Sequence, residues 1–454
     1  MQYKRLALIF GVTSIFILTG CLKDHNDFIA YDENIETSAF GVVLGDINLP
    51  VENATVAYEG EKTTTDSNGI FIFSDVVIPR TGGRLTVDHP DYFPTVQSVI
   101  PTEDNRSINL HLQPLGQTYN ISARIGGSVS SVDNVTLQIP PDAFELGNGQ
   151  LYSGTVVSNV GYVDPLHIDA YDQIPGGHFG VDKNDNSKLL EHYGTIYTQF
   201  EGAGGEDLQI SDNVTYLLVF PLDDETLAHA PQEITLWKLE DADGQWKEYG
   251  LAQLEGKSYR AEVDRIGIWS IQIPFSYARI SGQVKDQSGQ PLERARIALS
   301  RKDHPVKVRQ WTDNEGLFSV QFPIDHALDI SVEDECGNEL YTTSEGPFLG
   351  NYELADIEID PGSNYWRLSG VITECNTLSK GIEKGYSLIQ TSLYRWITPV
   401  ERNGNFTTGL FNCGSKFTVI GRDLLNSRGT NLVDFSELPD EDRRYSLGIM
   451  EACR

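Results

Sequence analysis

Thr65-Asp66-Ser67-Asn68-Gly69-Ile70-Phe71-Ile72-Phe73 reads as a tight turn running into a strand, and the chain repeats it. The second copy is Thr312-Asp313-Asn314-Glu315-Gly316-Leu317-Phe318-Ser319-Val320. In Thr-Asp-x-x-Gly the Asp side chain bonds backbone N–H groups ahead of it, and the Gly supplies the positive-φ position. Alternation after the Gly sends every second side chain into a core. The residues before each turn repeat too. Gly41-Val42-Val43, Asp46, Pro50, Ala54 and Val56 are matched in order by Gly282-Gln283-Val284, Asp286, Pro291, Ala295 and Ile297. Both read as a strand, a Pro/Gly turn and a second strand opened by Ala-x-hydrophobic. A third, weaker copy starts at Leu368-Ser369-Gly370-Val371 and has Asn403-Gly404-Asn405-Phe406 in place of Asp-x-x-Gly.

The two stronger copies, roughly residues 38–114 and 278–360, resemble the carboxypeptidase regulatory-like domain, a transthyretin-like β-sandwich. Asp66 with Gly69 and Asp313 with Gly316 carry the resemblance. It implies an accessory role, in which the domain spaces or displays other modules and holds no catalytic residue. Between the copies lie Gly126-Gly127-Ser128, Ile139-Pro140-Pro141-Asp142-Ala143-Phe144, Leu217-Leu218-Val219-Phe220-Pro221 and Trp246-Lys247-Glu248. That order resembles the ZU5-like region of bacterial surface proteins and animal receptors, and implies a further β-rich domain. Some such domains cleave themselves at His-Phe-Ser. The matching Arg265-Ile266-Gly267 has no hydroxyl, and Arg265 cannot act as a base at neutral pH, so an intact chain is expected.

Lys4 and Arg5 precede an uncharged, mostly apolar run from Leu6 to Leu18, too short to span a bilayer but suited to a signal peptide. It closes on Leu18-Thr19-Gly20-Cys21, which resembles the lipobox of bacterial lipoproteins and implies acylation at Cys21. Leu22-Lys23-Asp24-His25-Asn26-Asp27 is similar to the export signal of Bacteroidota surface lipoproteins, although His25 and Asn26 interrupt its acidic run. The expected organisation is a signal peptide over 1–20 and a lipidated tether over 21–37. Sandwiches follow over 38–115 and 277–361, with the ZU5-like domain over 116–276 between them and a Cys-containing sandwich over 362–454. The fold class is all-β, tandem β-sandwiches of transthyretin-like or Ig-like type behind a lipoprotein signal peptide.

Composition narrows the function. The chain carries 34 Lys+Arg against 65 Asp+Glu, a formal charge of −31, which disfavours a nucleic-acid partner. Loss of Lys4 and Arg5 with the signal peptide would take this to −33. Apart from Cys21 there are Cys336, Cys375, Cys413 and Cys453, with no Cys-x-x-Cys. Four cysteines allow three pairings that sequence cannot separate. Cys375 with Cys413 is the favoured disulfide, since both fall in one expected domain, and free buried thiols are the alternative. Asp182-Lys183-Asn184-Asp185-Asn186 starts like a calcium loop but lacks the Gly and Glu that such a loop requires, so a polar hairpin is expected. No His-Glu-x-x-His, Gly-x-Ser-x-Gly or phosphate loop occurs, so no catalytic residue, metal or cofactor is assigned.

Trp366, Tyr394 and Trp396 are flat rings beside cations, a candidate ligand surface set against the plainer reading of core filler. The expected role is a non-enzymatic protein anchored in the outer membrane through Cys21, displaying sandwiches in series to a protein or glycan partner. The alternatives are an accessory subunit of an uptake or secretion complex, and a hydrolase with an unrecognised carboxylate site.

Overall fold

The computed structural model describes residues 34–45, 48–79, 83–99, 108–167, 170–391, 393–413, 416–435 and 444–454. The signal peptide, Cys21 and the tether as far as residue 33 lie outside the described residues, as does Asp46. Within them the chain is β almost throughout, and its sheets fall into four groups. The opening strand, Asn34–Leu44, begins inside the stretch read as tether, with Asn34 already opposite Pro79.

All three repeats build one topology. In the first, Asn34–Leu44 lies between antiparallel Ile70–Pro79 and parallel Ile108–His111; the facing sheet runs Glu61–Thr64, Thr55–Tyr58, Gly83–Asp88, Thr95–Val99. In the second, Tyr277–Asp286 lies between antiparallel Leu317–Pro323 and the parallel pieces Tyr352–Glu353 and Ile357–Ile359. Its facing sheet runs Val308–Trp311, Arg296–Arg301, Leu328–Glu333, Glu339–Glu345. In the third, Tyr365–Glu374 lies between antiparallel Asn405–Phe411 and parallel Arg444–Ala452. Arg395–Pro399, Gly385–Gln390 and Phe417–Asp423 stand opposite. The weak copy is a full copy.

Local chemistry explains the match. Asp66 Oδ1 accepts from the N–H groups of Asn68 (2.8 Å) and Ile70 (3.0 Å), and Asp313 Oδ1 from Glu315 (3.0 Å) and Leu317 (2.8 Å). Gly69 and Gly316 take φ of 74° and 71°, and a Cβ on either would run into the carbonyl of Val43 or Val284. Thr65 donates to the Val51 carbonyl and accepts from Ala54 N–H, tying turn to neighbouring strand; Thr312 does the same with Leu292 and Ala295. In each opening strand a glycine sits directly opposite a phenylalanine: Gly41 and Phe71, Gly282 and Phe318, Gly370 and Phe406. A Cβ at any of these glycines would strike the facing ring.

The middle unit is built on one eleven-stranded sheet, with a small two-stranded sheet of Phe144–Leu146 and Leu208–Ile210 beside it; the large sheet's end strands, Thr118–Ser122 and Gly127–Ser130, meet at a Ser122–Gly126 bridge. The sheet therefore rolls around an inner core that includes Tyr193, Ile196, Phe200, Tyr216 and Trp269. A second core, with Tyr197, Trp237 and Trp246, also takes in Phe93 and Val96 from the first unit. The polar hairpin expected at 182–186 joins Phe179–Val181 to Ser187–Gly202, with Asp182 Oδ1 accepting from the N–H groups of Asn184 and Asn186.

The units close into a ring. The first meets the middle through Phe93 against Tyr197, ring centroids 5.2 Å apart. The middle meets the second sandwich through a two-pronged Arg301–Glu191 pair at 2.8 and 2.6 Å and a Tyr193–His304 bond at 2.8 Å. Tyr365 and Phe411 of the last unit are part of the second sandwich's own core. The last unit then packs on the first. Phe40, Val42, Leu44 and Ile70 share a core with Tyr386, Leu388 and Ile397, and Arg395 donates to the Asn48 carbonyl at 2.6 Å. Display in series is therefore corrected to a closed arrangement, because the outer face of the first unit is apolar and the last unit covers it.

Candidate functional site

The aromatic residues proposed as a ligand surface divide. Trp366 is 7% exposed, within the Tyr365–Glu374 strand, and makes no ring contact with the other two. Tyr394 and Trp396 do come together, and they meet Trp311 of the second sandwich edge-on at 5.3 and 5.1 Å. Arg296 lies over Trp311 and donates to the Tyr394 hydroxyl at 3.1 Å, while Arg294 lies over Trp396 at 4.6 Å. These rings and cations form the joint between the last two units. They hold units together where a ligand face was expected.

The same joint corrects the disulfide. Cys336 pairs with Cys413, and Cys375 with Cys453. The expected Cys375–Cys413 pair does not form, because the strand ending at Phe411 abuts the second sandwich and delivers Cys413 to Cys336 across the joint. Beside that bond lies Glu335, 1% exposed, with one oxygen accepting from the Phe411 N–H at 3.4 Å. Burial pushes its carboxyl up to about 7, against the downward pull of the Arg294 charge. Glu293 completes the joint, accepting from Thr408 Oγ1 at 3.1 Å and Gly409 N–H at 2.5 Å.

A chain of hydroxyls inside the middle unit looks like a nucleophile beside a base. Ser270 Oγ donates to the Gly194 carbonyl, Thr195 Oγ1 donates to Ser270 Oγ, and His192 Nε2 lies 2.8 Å from Thr195 Oγ1. Thr195 has one proton and spends it on Ser270, so His192 must donate from Nε2 and cannot act as the base here. Burial lowers His192 to about 3, and likewise His178, which stacks on Tyr171 at 3.4 Å. Ser270 is fully buried. This arrangement ties three strand residues together.

A cleft of about 680 Å³ opens between the first and middle units, with a volume within the usual range for small-ligand sites. One wall is the end of the closing strand and the segment after it, His111, Leu112, Gln113 and Pro114; the other carries Asp133, Asn134, Asp164 and Gln173. Both walls are fixed. Leu112 N–H bonds the Leu44 carbonyl, Phe93 N–H bonds that of Gln113, and Asn134 (φ 62°) closes a Ser131–Val135 turn. Asp164 Oδ1 accepts from the Leu166 N–H at 2.9 Å. Asp133 stands at the mouth, exposed on one side. Partial burial, and then the charge of Asp164, raises its carboxyl above the usual range. Sequence reading missed this cleft, whose residues come from five separate stretches of the chain and carry no shared spacing; only Asp133-Asn134, a turn pair between strands, was a local signal.

No family model matches the chain, and no curated protein matches it. Among solved structures it is similar to the shaft pilin spaA of Lactobacillus rhamnosus GG, at 10% identity over 39% of this chain and 97% of that one, TM-score 0.20. The major pilin subunit BcpA of Bacillus cereus gives 9% identity over 72% of this chain and 99% of that one, TM-score 0.15. A DUF3823 family protein from Parabacteroides merdae gives 11% identity over 36% of this chain and 99% of that one, TM-score 0.18.

Proposed function

We propose that the chain is a non-enzymatic lipoprotein, anchored in the outer membrane of a Bacteroidota-type bacterium through Cys21. In this reading three carboxypeptidase regulatory-like sandwiches and one ZU5-like unit form a closed scaffold that binds a protein or glycan partner at the cell surface. The observation that carries the reading is the pair of disulfides, which use every cysteine after Cys21. Such bonds belong to oxidising compartments, and they leave Cys21 as the one thiol for acylation. The closed ring changes what presentation means here. Reach is set by the width of the ring, and the partner meets inter-unit surfaces in place of a distal tip. The excess of acid keeps the surface solvated and repels anionic polymers.

Fractionation tests the reading. Wild-type protein should sediment with outer membranes and be released by detergent, whereas Cys21→Ala should appear in the soluble fraction. Crosslinking on intact cells should then capture a surface partner. Equal membrane association of both proteins would sink the anchor, and resistance to surface protease would place the protein on the inner leaflet face.

A further inference from the structure

We infer that the cleft between the first and middle units binds a neutral oligosaccharide, an inference that rests on the surface-binding reading above and names its ligand class. The chemistry of the walls selects the ligand. Gln113, Asn134 and Gln173 each offer a donor and an acceptor on one planar amide, while Asp133 and Asp164 add acceptors. Adjacent sugar hydroxyls, which donate and accept at once, match that set. No Lys or Arg is among the described residues lining the cleft, and His111 and His167 are the only basic side chains among them, so a phosphate, sulfate or uronate would meet two carboxylates with no permanent cation to offset them. An amine would satisfy the carboxylates and leave the three amide N–H groups unmatched. Pro114 and Val132, the latter 80% exposed, give the apolar faces of sugar rings a surface to lie on.

Rigidity favours binding over accident. Gly161 of the Thr155–Val163 strand packs so tightly that a Cβ there would meet Gln113 Cγ at 2.7 Å and the Phe93 ring at 2.8 Å. Phe93 and Val96 are themselves buried in the middle unit's second core. Asn159 Nδ2 reaches across to the Leu115 carbonyl at 3.3 Å. The two walls are thus parts of one packed body, and a ligand spanning them loses little free energy to ordering the protein.

Full-length protein in detergent should be screened on an array of neutral, acidic and amino oligosaccharides, and the retained sugar titrated by calorimetry. Neutral sugars should be retained, with Gln173→Ala and Asp133→Ala each weakening binding at least tenfold at unchanged melting temperature. Asp212→Ala, in a separate cleft of the middle unit, should leave the affinity as it was. Unchanged affinity in both cleft variants, retention of acidic or amino sugars alone, or no retention at all would each overturn the inference. If crosslinking still captures a surface partner in that event, the cleft inference fails and the surface-binding reading stands. If instead Cys21→Ala stays with the membrane while sugar binding holds, the anchor fails and the cleft stands.

Discussion

The first and second sandwiches share a turn, a core and a strand order, and differ on the outer face of one sheet. Aligned on Val43 and Val284, the outward residues of the first opening strand are Phe40, Val42 and Leu44; those of the second are Ser281, Gln283 and Lys285. After the turn, Ile70 and Ile72 in the first stand where the second has Leu317 and Ser319. The inward residues make the sandwich. The outward residues decide what that face meets, and in the first unit they seat the last unit and close the ring.

The hardest test of that contrast puts one charge at matched positions. Val42 is fully buried under the last unit, so Val42→Asp should cost about 4 kcal/mol, the penalty of an unpaired buried carboxylate. Gln283→Asp, at a half-buried position of the second sandwich that no other unit covers with an apolar core, loses one bond to the Glu315 carbonyl and should cost about 1 kcal/mol. Chemical denaturation gives both numbers, and small-angle scattering should show a larger radius for Val42→Asp alone. Equal losses, or an unchanged radius, would remove the clasp from the account.

A second contrast lies between that apolar clasp and the charged joint at Glu335. The raised carboxyl is protonated in both folded and unfolded chains below about pH 4.5, where its full benefit is present. From there to about pH 7 the unfolded chain ionises first, so stability should fall by about 3 kcal/mol and then level off. Glu335→Gln should flatten that slope. His178 and His192 act in the other direction, since their lowered values mean that stability is intact above about pH 6.5 and is lost as pH falls toward about 3. Hydrogen exchange resolved by segment should therefore show the joint tightening in mild acid while the middle unit loosens. Parallel responses in the two regions would contradict the assignment.

Part of this was readable beforehand. Gly41 through Leu44 and Ile70 through Phe73 are unbroken apolar runs, the pattern of strands buried on both faces, whereas Leu317-Phe318-Ser319-Val320 alternates properly. Reading both as one-sided alternation lost the clasp. The third repeat was legible from Gly370 and Asn403-Gly404, because a glycine facing an aromatic and a positive-φ turn each admit few residues. The disulfides were not, since placing two cysteines in one unit says nothing about where neighbouring units touch. Tyr394-Arg395-Trp396 reads alike whether its rings meet a sugar or another unit. The cleft is assembled by docking, which local sequence does not encode.

If the turn is the shared part, damage to it should be indifferent to the outer face. Gly69→Ala and Gly316→Ala each force a non-glycine residue to φ near +70° and push a methyl into a carbonyl of the opening strand. Each should cost about 2–3 kcal/mol, the strain of a left-handed position with a steric clash. Melting temperatures should fall together. A mild Gly316→Ala beside a severe Gly69→Ala would mean that the clasp, and not the turn, bears the strain.

The smallest effect separates the third copy from the other two. Asp66→Ala and Asp313→Ala each remove a carboxylate that accepts two backbone N–H bonds, and should cost about 1–2 kcal/mol. Glu401 occupies the matching place in the last unit: its N–H bonds the Asn405 carbonyl and its carbonyl receives the Gly404 N–H, as Asp66 does with Ile70 and Gly69. There the side-chain bond comes instead from Asn403, which accepts from the Asn405 N–H at 3.1 Å. Glu401→Ala should thus be nearly silent, and Asn403→Ala should cost about 1 kcal/mol. Measured losses in that order would show that the weak copy keeps the backbone of the turn and has moved the polar bond two residues along; a costly Glu401→Ala would show that it had not.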